Sequence, residues 1–143
     1  MTTVFKDYFS DNSSGYHQYR PHYPESLFHY LSSLCLQHRR AWDCATGTGQ
    51  AASRLAEYFD TVIATDASAS QIEQAIQNNK ISYQVATVED NTIENHSIDL
   101  ITVAQALHWL DINRFANKAQ RVLKQGGIVA AWKYNLCSIN TDF

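Results

Sequence analysis

The apolar positions along the chain alternate between the period of a helix and the period of a strand. Helical spacing first occurs in the segment PESLFHYLSSLCLQ (24–37), where proline is acceptable in the first turn. The segment AWDCATGTGQ (41–50) then begins as a short apolar strand and ends in a glycine-rich turn. AASRLAEYF (51–59) again has one apolar helical face. These segments predict a helix, followed by a strand, a glycine turn and a second helix.

The same alternation continues to the end of the pattern. Further strands are predicted in TVIATD (61–66), in ISYQVATVED (81–90), at the start of SIDLITVAQALHWL (97–110) and in IVAAW (128–132). Helices are predicted between two pairs of these strands. The first is ASASQIEQAIQ, with Ser70 and Glu73 as a capping box, and the second is INRFANKAQRVLK, which begins after Asp111 and ends before Gly126 and Gly127.

Strands that alternate with helices favour right-handed crossovers and a parallel sheet with helices on both faces. The predicted class is therefore α/β, doubly wound. The length of 143 residues allows one core, so we expect one domain at residues 24–143, with residues 1–23 as an amino-terminal lid or capping segment rich in aromatic side chains.

Composition and charge restrict the kinds of partner. The net charge of −3 argues against a nucleic-acid or anionic-membrane surface, and no apolar stretch approaches the length of a membrane helix. The three cysteines are widely spaced, so neither a disulfide framework nor a metal site is indicated. We expect a cytoplasmic protein.

The glycine turn has two interpretations, both involving a nucleotide-type cofactor. Gly47, Gly49 and Ala52 match the G-x-G-x-x-A pattern of a dinucleotide site, and Asp66 follows Gly47 by 19 residues, near the spacing of a ribose-binding acid. This favours NAD and an oxidoreductase. However, Asp43 precedes the turn by four residues, and its charge would oppose a pyrophosphate. A cofactor without phosphates fits better.

Several motifs resemble one family. WDCATGTGQ (42–50) resembles the first motif of class I S-adenosylmethionine-dependent methyltransferases, with Ala45 where the family often has glycine. ATVED (86–90) resembles the segment that meets the adenine, SIDLITVAQALHWLD (97–111) the fourth-strand motif, and RVLKQGG (121–127) the turn before strand five. YHQYRPHYPESL (16–27) looks like the entry segment of the trans-aconitate and ubiquinone-biosynthesis-like branch.

The resemblance implies a Rossmann-like sheet with five strands in the order 3-2-1-4-5, which binds S-adenosylmethionine and transfers its methyl group to a small molecule. It implies that the following residues bind the cofactor: Tyr19, Arg20, Asp43, Thr46, Gly47, Gly49, Gln50, Asp66, Ala67, Val88, Glu89, Gln105 and Ala106. It also implies that Tyr16, His108 and Trp109 contact the substrate.

Individual roles follow from the same resemblance. Asp43 would order the turn and favour the methionyl ammonium, Asp66 would bind the ribose, and Glu89, or alternatively Asp90, would meet the adenine. His108 would act as a general base or only line the pocket, and the catalytic residues stay unassigned.

The chain stops shortly after the fifth predicted strand, whereas the family sheet has two more strands. We therefore expect an amino-terminal part of a longer methyltransferase. Its uncovered fifth strand would pair with the tail NLCSINTDF (135–143) or with a second chain in a homodimer. A non-catalytic cofactor-binding module is an alternative function.

Overall fold

The computed structural model describes residues 3–6, 23–88, 90–104, 111–133 and 136–140. These residues form one mixed sheet with helices on both faces. The strands are β1 (Thr3–Lys6), β2 (Arg40–Cys44), β3 (Thr61–Asp66), β4 (Ile81–Val85), β5 (Ile98–Ala104), β6 (Leu123–Lys133) and β7 (Leu136–Asn140). The helices are α1 (Glu25–Leu34), α2 (Gln50–Leu55), α3 (Ala69–Glu73) and α4 (Ile112–Val122).

The parallel part of the sheet has the predicted topology. The described strands are ordered β1-β7-β6-β5-β2-β3-β4, and every pair from β6 to β4 is parallel. In the order of the five strands predicted from the sequence, this is 3-2-1-4-5, so the Rossmann-like α/β class is confirmed. The strand order changes direction between β2 and β5, since β3 and β4 lie on one side of β2 and β5 and β6 lie on the other. Open α/β sheets bind their ligands at such a switch point.

The five expected parallel strands form, but the sheet does not stop at the fifth of them, contrary to the prediction from the sequence. β7 pairs antiparallel with β6 in a register that joins Lys133 to Leu136 and Val129 to Asn140, and β1 pairs antiparallel with β7. An antiparallel strand needs only a short connection, so the predicted pairing with the tail is the one that forms. Among the described strands, β1 is the edge strand on this side of the sheet. The predicted homodimer through β6 stays a prediction, but β6 is already paired with β7 and offers no free edge for it.

Residues 3–6 also correct the expectation of an amino-terminal lid, because they extend the sheet. Residues 1–2 and 7–22 of that predicted segment lie outside the described residues, and Tyr23 at its end is buried in the cluster of α1. No helix in the described ranges has both the length and the apolar character required to cross a bilayer.

Buried side chains form one cluster on each face of the sheet. Alternate residues of a strand point to opposite faces, so Ala41 and Leu100 join the cluster under α1 and α2, whereas Trp42 and Ile101 join the cluster under α4. The helices contribute their apolar faces to these clusters. They supply Leu27, Phe28 and Leu31 from α1, Ala51, Ala52 and Leu55 from α2, and Phe115, Ala119 and Val122 from α4.

Two helix ends differ in detail from the prediction. Helix α3 begins after Ser68, whose hydroxyl accepts the Gln71 amide, so the predicted Ser70 capping box is wrong. Helix α4 begins after Asp111 as predicted, but it ends at Val122, before the two glycines, because Leu123 is already extended and pairs with Ile98. Pairing with the sheet therefore ends this helix.

Candidate functional site

The candidate site lies where the carboxyl ends of β2, β3 and β5 meet. The turn after β2 is attached to β3 through its backbone, because the Thr46 amide donates to the Thr65 carbonyl at 2.8 Å. The segment after β4 is attached to the same place, because the Ala86 amide donates to the Asp66 carbonyl at 3.0 Å. Four consecutive stretches of the chain thus meet at one edge of the sheet.

The turn between β2 and α2 uses left-handed backbone at three positions. Gly47 has a φ of 59° and Gly49 a φ of 84°, which glycine adopts without steric cost. Ala45 has a φ of 58°, a left-handed backbone conformation that is sterically unfavourable for a residue with a Cβ atom. This is the position at which the family often has glycine.

Gly49 is also required by a close approach. A Cβ atom at this position would lie 2.2 Å from the Tyr83 hydroxyl oxygen of β4. That hydroxyl donates to the Ile76 carbonyl at 2.6 Å, and burial raises the pKa of Tyr83 to about 12, with the charge of Asp43 adding to the effect. Gly49 therefore allows the start of α2 to pack directly on β4.

Asp43 is buried beneath the turn, with 1% of its surface exposed. Its carboxylate accepts a hydrogen bond from Thr46 Oγ1 at 2.7 Å and another from Thr102 Oγ1 at 2.7 Å. Burial raises the pKa of Asp43 to about 6, the two hydroxyl donors oppose that rise, and the nearby charge of Asp66 adds to it. This carboxyl group connects the turn to β5.

Asp66 connects the turn to α3. One carboxylate oxygen accepts the Gly47 amide at 2.8 Å and the other accepts the Ser68 amide at 2.9 Å. Asp66 is half-buried. The two acids flank the same turn from different strands.

The structure brings together several of the predicted cofactor-binding residues. Gln50 is the first residue of α2, half-buried, and Ala67 is exposed directly after Asp66. Val88 follows β4 and packs in part against the cluster under α4. The other predicted residues lie outside the described part of the chain. They are Tyr16, Tyr19, Arg20, Glu89, Gln105, Ala106, His108 and Trp109.

Thr102 is a residue of this site that the sequence analysis missed. It is fully buried in β5 and is paired in register with Asp43 of β2. The available signal was a hydroxyl in the middle of the otherwise apolar run LITVA, because a buried polar group needs a partner. Its partner could be named only once the register of the two strands was known.

This arrangement of turn and strands occurs in a known family. The family described as "Methyltransferase domain" matches residues 42–131, which include the turn, both acids and β6 as far as Ala131. The chain belongs to this methyltransferase family. The resemblance to class I S-adenosylmethionine-dependent methyltransferases is thereby confirmed.

Individual relatives agree with the family. A Dictyostelium discoideum protein named as a methyltransferase is 37% identical over 98% of this chain and 54% of its own length. A solved structure described as a type II methyltransferase from Anaeromyxobacter dehalogenans is 39% identical, with a TM-score of 0.77 over 80% of this chain and 49% of that one.

A third relative was solved with ligands. Phosphoethanolamine N-methyltransferase 1 of Haemonchus contortus, in complex with phosphoethanolamine and S-adenosylhomocysteine, is 27% identical with a TM-score of 0.63, over 75% of this chain and 25% of that one. The methyltransferase chain described here spans about half the length of the curated relatives that it matches.

Proposed function

We propose that this methyltransferase domain binds S-adenosylmethionine at the carboxyl edge of its sheet and that its activity is methyl transfer to a small-molecule acceptor. The observation that carries the proposal is the pair of carboxylates, Asp43 and Asp66, which flank one glycine turn. The Haemonchus contortus relative supports both the cofactor and the small-molecule acceptor, since it was solved with S-adenosylhomocysteine and phosphoethanolamine.

The charges around the turn fit a cationic cofactor better than a phosphate. A phosphate needs free backbone amides at a glycine turn, whereas the Gly47 amide already donates to Asp66. The buried charge of Asp43 beneath the turn would also repel a pyrophosphate. S-adenosylmethionine carries an ammonium and a sulfonium and has no phosphate, so the residues of this site fit it and disfavour NAD.

Each acid has a separate role in this proposal. Asp43 holds the turn through Thr46 and places a negative charge beneath it, which favours the methionyl ammonium. Asp66 keeps unused lone pairs on both oxygens after it accepts two amides, so it can also accept the two ribose hydroxyls. Val88 and Glu89 would meet the adenine, with Gln105 and Ala106 closer to the methyl group.

Bound S-adenosylmethionine supplies a methyl group on a positively charged sulfur. Methyl transfer is an in-line displacement, so the main task of the protein is to hold donor and acceptor in line. We place Tyr16, His108 and Trp109 on the acceptor side, and Tyr19 and Arg20 over the cofactor. His108 would accept a proton only where the acceptor carries an acidic hydroxyl or amine.

The proposal is tested by calorimetric titration of the chain with S-adenosylhomocysteine, with NADH as the comparison ligand. We expect saturable binding of S-adenosylhomocysteine only. Asp66→Ala should weaken it by about tenfold or more, because paired hydrogen bonds to a carboxylate contribute about 1–3 kcal/mol. The matched control is Asp60→Ala, which removes an exposed acid next to the opposite end of β3.

Asp66→Ala affinity within about twofold of the unsubstituted chain would show that Asp66 is not the ribose acid. A folded chain that binds NADH, or neither ligand, would refute the proposed cofactor. Binding without methyl transfer to any small-molecule acceptor would support the non-catalytic alternative.

A further inference from the structure

Lys118 is a buried lysine on the apolar face of α4. Only 5% of its surface is exposed, and its helix neighbours Phe115, Ala119 and Val122 are buried in the cluster under α4. Lysine is almost never fully buried without a partner, because removing an ammonium from water is costly. The position of Lys118 therefore requires an explanation in terms of what its ammonium binds.

The ammonium binds the segment that follows β4. Lys118 Nζ donates to the Asn91 carbonyl at 3.2 Å. The Asn91 side chain in turn donates to the Val88 carbonyl at 2.8 Å and accepts the Ile93 amide at 3.2 Å. Lys118 thus links α4 to Asn91, whose side chain in turn holds Val88 and Ile93.

This segment starts at the ligand-binding edge of the sheet. Its entry is attached to Asp66 through the Ala86 amide, and Val88 is half-buried two residues later. The exit is anchored by Ile93, which is 4% exposed and belongs to the same cluster as Phe115. Between these two points, the Lys118 ammonium attaches the Asn91 carbonyl to α4, and the Asn91 side chain bonds Val88 and Ile93 of the same segment.

The groups around Lys118 act on the pKa of its ammonium in opposite directions. Burial lowers the pKa of Lys118 and the nearby charge of Arg121 lowers it further, whereas the charge of Asp90 opposes this change. Asp90 belongs to the tethered segment, and its amide is held by the Thr87 hydroxyl at 3.1 Å. The segment therefore supplies both a carbonyl and a charge to Lys118.

We infer that Lys118 is a positioning residue for cofactor recognition: through Asn91 it holds Val88 in the position from which it recognises the adenine. The inference rests on the proposed function, in which Val88 and Glu89 meet the adenine. It assigns a specificity role to a side chain that does not itself touch the ligand.

The test compares two ligands that differ at one point of the purine. S-adenosylhomocysteine carries an amino group at position 6, and S-inosylhomocysteine carries an oxo group there. In Lys118→Met, which keeps the apolar stem, we expect the preference for the adenosyl ligand to fall by about fivefold, as measured by calorimetric titration. Far-UV circular dichroism and a cooperative melt establish that the variant is folded.

Two further variants separate positioning from general stability. Asn91→Ala removes the other half of the tether and should lower the preference to a similar extent, with little added effect in the double variant. Lys80→Met removes an ammonium that donates to the Ala56 carbonyl at 2.6 Å, at the opposite end of β4 from this segment, and it should leave the preference unchanged.

The outcomes distinguish this inference from the proposed function. If the unsubstituted chain does not bind S-adenosylhomocysteine, the proposed function fails. If it binds and prefers the adenosyl ligand, but Lys118→Met and Asn91→Ala keep the full preference, the positioning role is refuted. Equal weakening of both ligands would also refute it, because a purely structural effect would not depend on position 6 of the purine.

Discussion

Replacing Asp43 with asparagine should make the protein more stable at neutral pH while weakening cofactor binding. The folded protein holds Asp43 with a pKa of about 6, against an ordinary value of 3.8. The folded state therefore binds the proton more tightly than the unfolded state. The free energy of unfolding contributed by this group is fully present below about pH 4 and is lost as the pH rises through about 6.

The size of the effect follows from the same two pKa values. The difference between 3.8 and about 6 corresponds to about 3 kcal/mol lost at pH values above both. Asparagine resembles the protonated acid in shape. Its carbonyl oxygen can accept a hydrogen bond from one of the Thr46 and Thr102 hydroxyls, and its NH2 group can donate one to the other. We expect the free energy of unfolding of Asp43→Asn to be about 1–3 kcal/mol higher than that of the unsubstituted protein near pH 8. Near pH 4 most of this difference should be lost, because Asp43 is then protonated in the folded state and partly protonated in the unfolded state.

The assay is urea unfolding followed by tryptophan fluorescence at several pH values from about 4 to about 8. The useful quantity is the difference between variant and unsubstituted protein, because acids common to both cancel. Asp60→Asn controls for the removal of one negative charge at an exposed position. A variant less stable than the unsubstituted protein near pH 8, or a stability difference that does not change with pH, would refute the reasoning.

The ligand-binding measurement should move in the opposite direction. If the charge of Asp43 favours the methionyl ammonium, Asp43→Asn should bind S-adenosylhomocysteine about tenfold more weakly near pH 8. Unchanged affinity would show that Asp43 serves only to order the turn. A stabilising substitution that weakens binding is expected where a buried charge is kept for function.

Two predictions concern the glycine turn. Gly49→Ala should lower the free energy of unfolding by about 2 kcal/mol or more, because the φ at this position is 84° and the new Cβ would meet the Tyr83 hydroxyl. Urea unfolding measures this change. A loss below about 0.5 kcal/mol would contradict the close packing of α2 on β4. Ala45→Gly should raise the melting temperature and increase the free energy of unfolding by about 0.5–1 kcal/mol, because glycine adopts a φ of 58° without the steric cost that alanine has there. The greater chain entropy of glycine in the unfolded state offsets part of this gain. A lower melting temperature would show that Ala45 is not strained.

The order of strands and helices could be predicted from the sequence because the hydrophobic period of each element is contained in a short segment. The glycine turn, Asp43, Asp66 and the family resemblance were available in the same way. Helix ends were less certain, since Leu123 leaves α4 to pair with Ile98, a residue 25 positions earlier.

The residues of the candidate site were predicted only as far as motifs extend along the chain. The partner of Asp43 on β5, Thr102, depends on the register of two strands that are far apart in sequence. The Tyr83 hydroxyl over Gly49 and the Lys118 ammonium at Asn91 depend on the same kind of distant pairing. None of these contacts has a local signal that identifies both members.

The sequence by itself thus determined the class of fold, the order of the elements from α1 to β6 and the turn that marks the candidate site, because periodicity and turn chemistry act between near neighbours. Only the tertiary structure decided which polar side chains share the site and that β7 and β1 complete the sheet beyond β6. The physical reason is that buried polar groups and strand edges are satisfied by whatever the register places beside them, at any distance along the chain.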